Sequence, residues 1–242
     1  MRRRYLCGAL VGVLAIAAAL SATAGGAASS VRQDRMHRIT NSTSTNWSGY
    51  AVTGGRYTQV SASWKVPSVS CSGTAYSSFW VGLDGDTSGT VEQTGTDSDC
   101  SGSTPQYYAG YEMYPKFPSN YSNPVAPGDT MTASVTTNGS GSFTLTLTDN
   151  TAGWSRTTSA RLKSAKLYSA EVIAEAPSSS GGVLPLADFG TVSFTGAKAN
   201  SVLLTSSTPG IDPITMVTSS GTVKAQPSSI SSGSFSDTWH HS

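Results

Sequence analysis

An all-β fold is what this sequence predicts, on three observations. Apolar and polar residues alternate in a series of short segments, clusters of Gly, Asn, Asp, Ser and Pro separate those segments, and no stretch of ten or more residues sustains a 3.6-residue period. The alternation is plainest at Val60, Ala62, Trp64 and Val66, which are interleaved with Ser61, Ser63 and Lys65. It recurs at Phe143, Leu145 and Leu147, interleaved with Thr144, Thr146 and Thr148. In chain order the other strand-like runs are 48–52, 77–83, 90–96, 107–114, 130–137, 155–162, 167–174, 187–194, 201–204, 214–217 and 222–225. Asn138-Gly139 and Asp149-Asn150 are among the turn signals between them. About a dozen short antiparallel strands with one apolar face each must bury that face against another sheet, which favours a two-sheet sandwich over a closed barrel. The final segment, 226–242, is Ser-rich with a single Trp239, and reads either as a last edge strand with a loose tail or as mostly disordered.

The N-terminus reads as processing sequence. Arg2, Arg3 and Arg4 precede an uncharged apolar run from Leu10 to Leu20, and Ala22-Thr23-Ala24 supplies small residues for cleavage. Residues 1–24 are therefore expected to be a secretory signal peptide, because the run is shorter than the ~20 residues that span a bilayer. Residues 25–38 carry Arg32, Arg35, His37 and Arg38 against Asp34 alone, as expected of a basic pro-segment or, alternatively, a loose N-terminal tail. The expected product is a secreted, monomeric single domain over 39–242, with no membrane attachment once the signal is removed.

Of the chain's 15 Lys/Arg and 14 Asp/Glu, nine and thirteen respectively follow residue 38, so the mature part is acidic by about −4. An acidic, charge-poor domain lacks the basic footprint that nucleic-acid binding needs. Cys7 leaves with the signal peptide, so Cys71 and Cys100 form an even pair in an oxidising compartment and are expected to be disulfide-bonded. Two thiols without a nearby histidine give no zinc site, and no cofactor is expected.

Elimination narrows the chemistry. The histidines are His37, His240 and His241, one in the pro-like segment and two in the tail, so no imidazole stands near the core to activate a serine or cysteine. There is no His-Glu-x-x-His pattern for metal-assisted hydrolysis. Asp84-Gly85-Asp86-Thr87-Ser88 looks superficially like the Asp-Thr-Gly turn of pepsin-like proteases, but that machinery needs two such turns, and this one reads as a tight turn between strands.

Carboxylates and amides on strands remain. In 90–96, Val91, Gln93 and Gly95 share one face and Glu92 takes the other. In 169–175, Glu171, Ile173 and Glu175 share a face, with the two carboxylates ~13 Å apart, so only one of them can closely meet a given partner. A glutamate among apolar neighbours such as Ile173 has its pKa pushed upward. The plainer alternative is that both are ordinary surface carboxylates. The aromatic load (Trp47, Tyr50, Trp64, Trp80, Tyr107, Tyr108, Tyr111, Tyr114) exceeds what one core layer needs, and Tyr107, Tyr111 and Glu112 flank Gly110 on a strand suited to floor a substrate cleft.

These residues also carry a resemblance to the glutamic peptidases, or eqolisins. The chain is similar to that family at Asn46-Trp47-Ser48-Gly49-Tyr50-Ala51, Val60-Ser61-Ala62-Ser63-Trp64-Lys65-Val66-Pro67 and Phe79-Trp80-Val81-Gly82-Leu83-Asp84-Gly85-Asp86. The match continues at Glu92-Gln93-Thr94-Gly95, Tyr107-Tyr108-Ala109-Gly110-Tyr111-Glu112-Met113-Tyr114-Pro115, Ala170-Glu171-Val172-Ile173-Ala174-Glu175 and Leu186-Ala187-Asp188-Phe189-Gly190. The resemblance implies a sandwich of two curved antiparallel sheets of about seven strands each. It also implies a secreted, metal-independent, pepstatin-insensitive acid endopeptidase acting on proteins or peptides. The family's catalytic glutamine falls on Gln93 and its glutamate on Glu175, with Glu171 as the alternative. Supporting acids fall on Asp84, Asp97 and Glu112, and Trp80, Tyr107, Gly110 and Tyr111 fall in the cleft. The family usually carries Trp where Gly110 and Val172 stand. The missing bulk at Gly110 is expected to widen the cleft, whereas Val172, facing away from the glutamates, is expected to alter packing. The rival functions are a carbohydrate-binding sandwich and a glycoside hydrolase built on two carboxylates.

Overall fold

The computed structural model describes residues 38–39 and 43–242, so the expected signal peptide and nearly all of the expected pro-segment lie outside the described residues. The described chain is built of strands. In order they are β1 (Arg38–Ile39), β2 (Thr43–Ser44), β3 (Trp47–Val52), β4 (Gln59–Lys65), β5 (Ser78–Leu83), β6 (Val91–Ser101) and β7 (Thr104–Tyr114). Next come β8 (Ser119–Asn120), β9 (Thr130–Thr137), β10 (Ser142–Asp149), β11 (Trp154–Arg161), β12 (Ala170–Glu175), β13 (Ser178–Ser179) and β14 (Gly182–Val183). The last are β15 (Thr191–Ala199), β16 (Val202–Leu203), β17 (Ile211–Val217), β18 (Val223–Pro227) and β19 (Phe235–Trp239).

The pairings generate two facing layers. One runs β17, β3, β12, β5, β6, β7, β8 by antiparallel registers. The other runs β11, β10, β9, β4, β15, β19, β18, β17. The expectation of two independent sheets of about seven strands each does not hold, because hydrogen bonding is continuous through 17 strands, with β13–β14 as a separate pair. The cause is β17. Its residues Ile211 to Ile214 pair with β3 in one layer, whereas Met216 and Val217 pair with β18 in the other.

The alternation seen in the sequence becomes inward and outward faces. Val60, Ala62 and Trp64 of β4, Leu145 and Leu147 of β10 and Phe194 of β15 meet Phe79, Val81 and Val172 of the other layer in one core cluster. Trp64 reaches across and donates from Nε1 to Thr96 Oγ1 at 2.9 Å, satisfying an indole N–H that burial would otherwise orphan. Val172 lies in this core, on the opposite face from Glu171 and Glu175, as strand parity required.

Local chemistry ends the strands. The Asp149 Oδ1 atom accepts the backbone N–H groups of Thr151 and Ala152 at 2.8 Å each, closing the β10–β11 turn. Cys71 and Cys100 form the expected disulfide, with Cα atoms 5.4 Å apart. Some strands outrun their sequence signal. β6 and β7 continue through Asp97 to Ser101 and from Thr104, where polar residues give no alternation but the hairpin register supplies partners. β15 likewise continues past Thr195 through a register shift against β4. The C-terminal segment forms β19, which is paired on both sides, with β15 and β18, and is not an edge.

Candidate active site

The outer face of the β3–β12–β5–β6–β7 layer carries the polar residues singled out in the sequence. Register places Glu171, Gly82, Gln93 and Glu112 in one row across four strands. Two residues along the strands lie Ile173, Trp80, Gly95 and Gly110, and two further lie Glu175, Ser78, Asp97 and Tyr108. Side chains two apart share a face, so all three rows belong to one surface. On the same face sits a second apolar cluster containing Trp47, Trp80, Ile173 and Ile214. Trp47 and Trp80 meet edge to face with centroids 4.8 Å apart.

Gln93 and Glu112 are direct cross-strand partners, and the Gln93 Nε2 amide donates to Glu112 Oε2 at 2.7 Å. Burial pushes Glu112 up to about 8, with the Gln93 donor working against the rise. Glu175 is fully buried, at 0% exposure. Its Oε2 accepts from Trp80 Nε1 at 2.7 Å and its Oε1 from Asn46 Nδ2 at 3.1 Å. Burial holds its pKa well above the usual carboxylate range, and the charge of Glu112 adds to the rise. Glu175 therefore lies in the electrostatic field of the acid that holds Gln93.

Glu171 is also fully buried and raised, first by burial, but the acids acting on it are Asp86, Asp84 and Glu92. The two glutamates of β12 thus belong to different acid groups, as their spacing along one strand requires. Asp84 accepts three backbone N–H groups, those of Lys166 and Leu167 at 2.7 Å and of Tyr168 at 2.9 Å, so it anchors the approach to β12. Asp97 accepts the Ser78 hydroxyl, and its pKa is raised by burial and by neighbouring Asp99. Asp99 in turn accepts the Tyr108 hydroxyl.

A groove of about 810 Å³ opens on this surface, lined among others by Trp80, Gln93, Asp97, Tyr108 and Glu112, with Pro118 and Asn120 on its far side. Glu175 does not line it. Tyr107 and Tyr111 border the groove while packing against the main core, and Tyr111 stacks on Tyr121 at 5.7 Å. A Cβ on Gly110 would lie 2.7 Å from Ser119 O, so the space over this glycine is held by the backbone of β8 and the missing side chain does not simply widen the cleft.

Sequence reasoning gave no role to Asn46, Ser78, Asp99 or Asn120. Asn46 is 2% exposed and donates to an acid 129 positions away, a contact that only the β3–β12 register creates. Its position beside Trp47 in a matched stretch was the one available signal. Among the described residues no group of three or more His, Cys, Asp or Glu is arranged to hold a metal ion, and no helix is long and apolar enough to cross a membrane.

The chain is similar in sequence and fold to known proteins. Residues 45–239 match the sequence pattern described as the Peptidase A4 family. The chain is 32% identical over 183 residues to aspergillopepsin-2 of Aspergillus niger, covering 65% of each protein. It is 38% identical over 110 residues to scytalidopepsin B of Scytalidium lignicola, covering 45% of this chain and 41% of the relative. The matched segments thus span less than two thirds of these curated relatives. Among solved structures, scytalido-glutamic peptidase bound to a transition-state analogue inhibitor superposes with a TM-score of 0.72 at 29% identity, over 81% of this chain and 98% of that one. Aspergilloglutamic peptidase from A. niger gives a TM-score of 0.61 at 28% identity, over 69% and 99%.

Proposed function

The chain belongs to the Peptidase A4, or glutamic peptidase, family, and from that premise we propose that it is a secreted, acid-active, metal-independent endopeptidase that hydrolyses protein or peptide substrates with Gln93 and Glu175. The observation that carries this reading is the buried polar network behind an open groove, in which Gln93 bonds Glu112 and Trp80, lining the groove beside them, donates to Glu175. The same observation favours Glu175 over Glu171 as the partner of Gln93. The leader (1–24) and basic segment (25–38) belong to the same reading, as parts removed before the domain acts outside the cell.

In the reaction, the Gln93 amide donates a hydrogen bond to the oxygen that becomes negative when water adds to the scissile carbonyl. An amide holds its protons in acid and needs no ionisation, so this role is available at any ordinary pH. Ionised Glu175 takes a proton from the attacking water, then returns it to the leaving nitrogen. Its raised pKa suits the second step, because a carboxyl that holds its proton firmly exists as the acid when the amine departs.

The raised pKa also favours a second reading, in which Glu175 begins protonated and donates to the carbonyl as water adds. The two readings have opposite signs. As a base, Glu175 makes kcat/KM rise with pH through its titration; as an acid, it makes kcat/KM fall. The deciding test is digestion of a denatured protein and of a fluorogenic peptide across pH 2–7 by wild type, Gln93→Glu and Glu175→Gln. Each substitution is expected to lower kcat by about a hundredfold or more while leaving the protein folded by circular dichroism. Full activity in folded Glu175→Gln protein would remove Glu175 from the mechanism.

A further inference from the structure

The middle row of the site face ends on a residue to which nothing above gives a task. Beyond Trp80 this row passes through two glycines, Gly95 and Gly110, and ends at Asn120 of β8. The floor between the indole and Asn120 therefore carries no side chains, while Gln93 and Glu112 flank it on one side and Asp97 and Tyr108 on the other. The groove lined by Gln93 and Glu112 thus continues without a break to Asn120.

Asn120 is placed to hold an extended backbone. Its Oδ1 lies 3.3 Å from where a Gly110 Cβ would stand, so the carboxamide overhangs the strip. Tyr121 N–H bonds Ala109 C=O at 2.8 Å, which makes Gly110 and Asn120 a non-hydrogen-bonded pair. The N–H and C=O of Asn120 consequently turn away from β7 toward the open edge of the layer. Asn120 is exposed, and a free strand edge is a template for an incoming extended chain. Two strand spacings and two residues separate it from Gln93, roughly 12 Å or three to four residues of extended peptide.

We propose that Asn120 is a substrate-positioning residue, which grips the backbone of an extended peptide three to four residues from the scissile bond through its own N–H, C=O and carboxamide. The distance in residues rests on Gln93 meeting the scissile carbonyl, as in the proposed function; the grip on a peptide does not. Such an enzyme favours long, extended substrates over short ones, and the glycine at position 110 is what lets β8 sit close enough to form the grip.

Two fluorogenic peptides with identical residues around the cleaved bond test this, one extending five residues to each side and one extending two. Asn120→Ala and Asn120→Pro are expected to lower kcat/KM for the long peptide about tenfold, mainly through KM, and to leave the short peptide unchanged. Equal losses on both peptides, or no loss on either, would overturn the proposal. Calorimetric binding of the long peptide with a reduced, uncleavable bond gives a readout independent of turnover. Tenfold weaker binding to folded Asn120→Ala protein is expected, and unchanged affinity refutes the grip. If wild type cleaves neither peptide, the peptidase reading fails, and the binding measurement still decides the role of Asn120.

Discussion

Trp80, Trp47 and Asn46 all favour the ionised form of Glu175, and Trp80 lies far in the chain from the other two. Trp80 Nε1 and Asn46 Nδ2 both favour the ionised carboxylate, whereas burial opposes it more strongly. Removing either donor should therefore raise the pKa of Glu175 further. Trp80→Phe keeps most of the ring and deletes the N–H; Asn46→Ala deletes the amide. Each is expected to move the Glu175 limb of the pH–rate profile toward higher pH and to cost about 1–3 kcal/mol of stability, from the buried acceptor left with one bond fewer. A profile of kcat/KM against pH, with thermal melts alongside, checks both parts. A limb displaced to lower pH in either variant would show that burial does not dominate this carboxyl. The sequence revealed the residue types of this site but not its hydrogen bonds, since Asn46, Trp80 and Glu175 share no local pattern.

At the scale of elements, the strands with strict alternation were legible and those without it were not. β4 and β10 could be read directly, because Val60, Trp64, Leu145 and Leu147 all point into one core and the intervening Ser and Thr point out. The polar ends of β6 and β7 escaped notice because Asp97, Ser98 and Asp99 give no alternation, and Ser98 and Asp99 are buried by partners that the sequence does not name. The sequence leaves the segment of β19 between an edge strand and disorder for a related reason. Phe235 is its main apolar anchor, and its ring packs on Phe194 at 5.0 Å and Tyr50 at 4.8 Å, bringing β15 and β3 to the C-terminal strand. Phe235→Ala is accordingly expected to destabilise the domain by about 3–5 kcal/mol in denaturant unfolding. A loss below 1 kcal/mol would mean that β19 is a peripheral strand. The disulfide fastens Cys71, ahead of β5, to Cys100 in the polar half of β6, and its removal is expected to cost about 2–5 kcal/mol.

For the whole molecule, the governing feature is the number of buried acids. Burial raises Glu92 to about 9, Glu112 and Asp237 to about 8 and Asp99 to about 6, and holds Glu171, Glu175 and Asp97 well above their ordinary values. The folded state thus keeps protons that the unfolded chain releases above its ordinary carboxyl range near 4. By linkage, the stability these groups contribute is fully present below about pH 4 and is lost progressively as pH rises toward about 9. The melting temperature should fall across that window, and Glu92→Gln with Glu171→Gln should flatten the fall by removing two of the carboxyls that must ionise inside. A melting temperature that holds constant or rises from pH 4 to pH 8 would contradict this account. The sequence by itself determined the all-β class, the disulfide and the supply of carboxylates and amides, because alternation and cysteine count act locally or by composition. Only the tertiary structure decided that β17 joins the two layers, that Glu175 takes hydrogen bonds from Trp80 and Asn46, and that β8 fills the space over Gly110. Each of these depends on register between strands distant in sequence, and register is fixed by packing that no single segment contains.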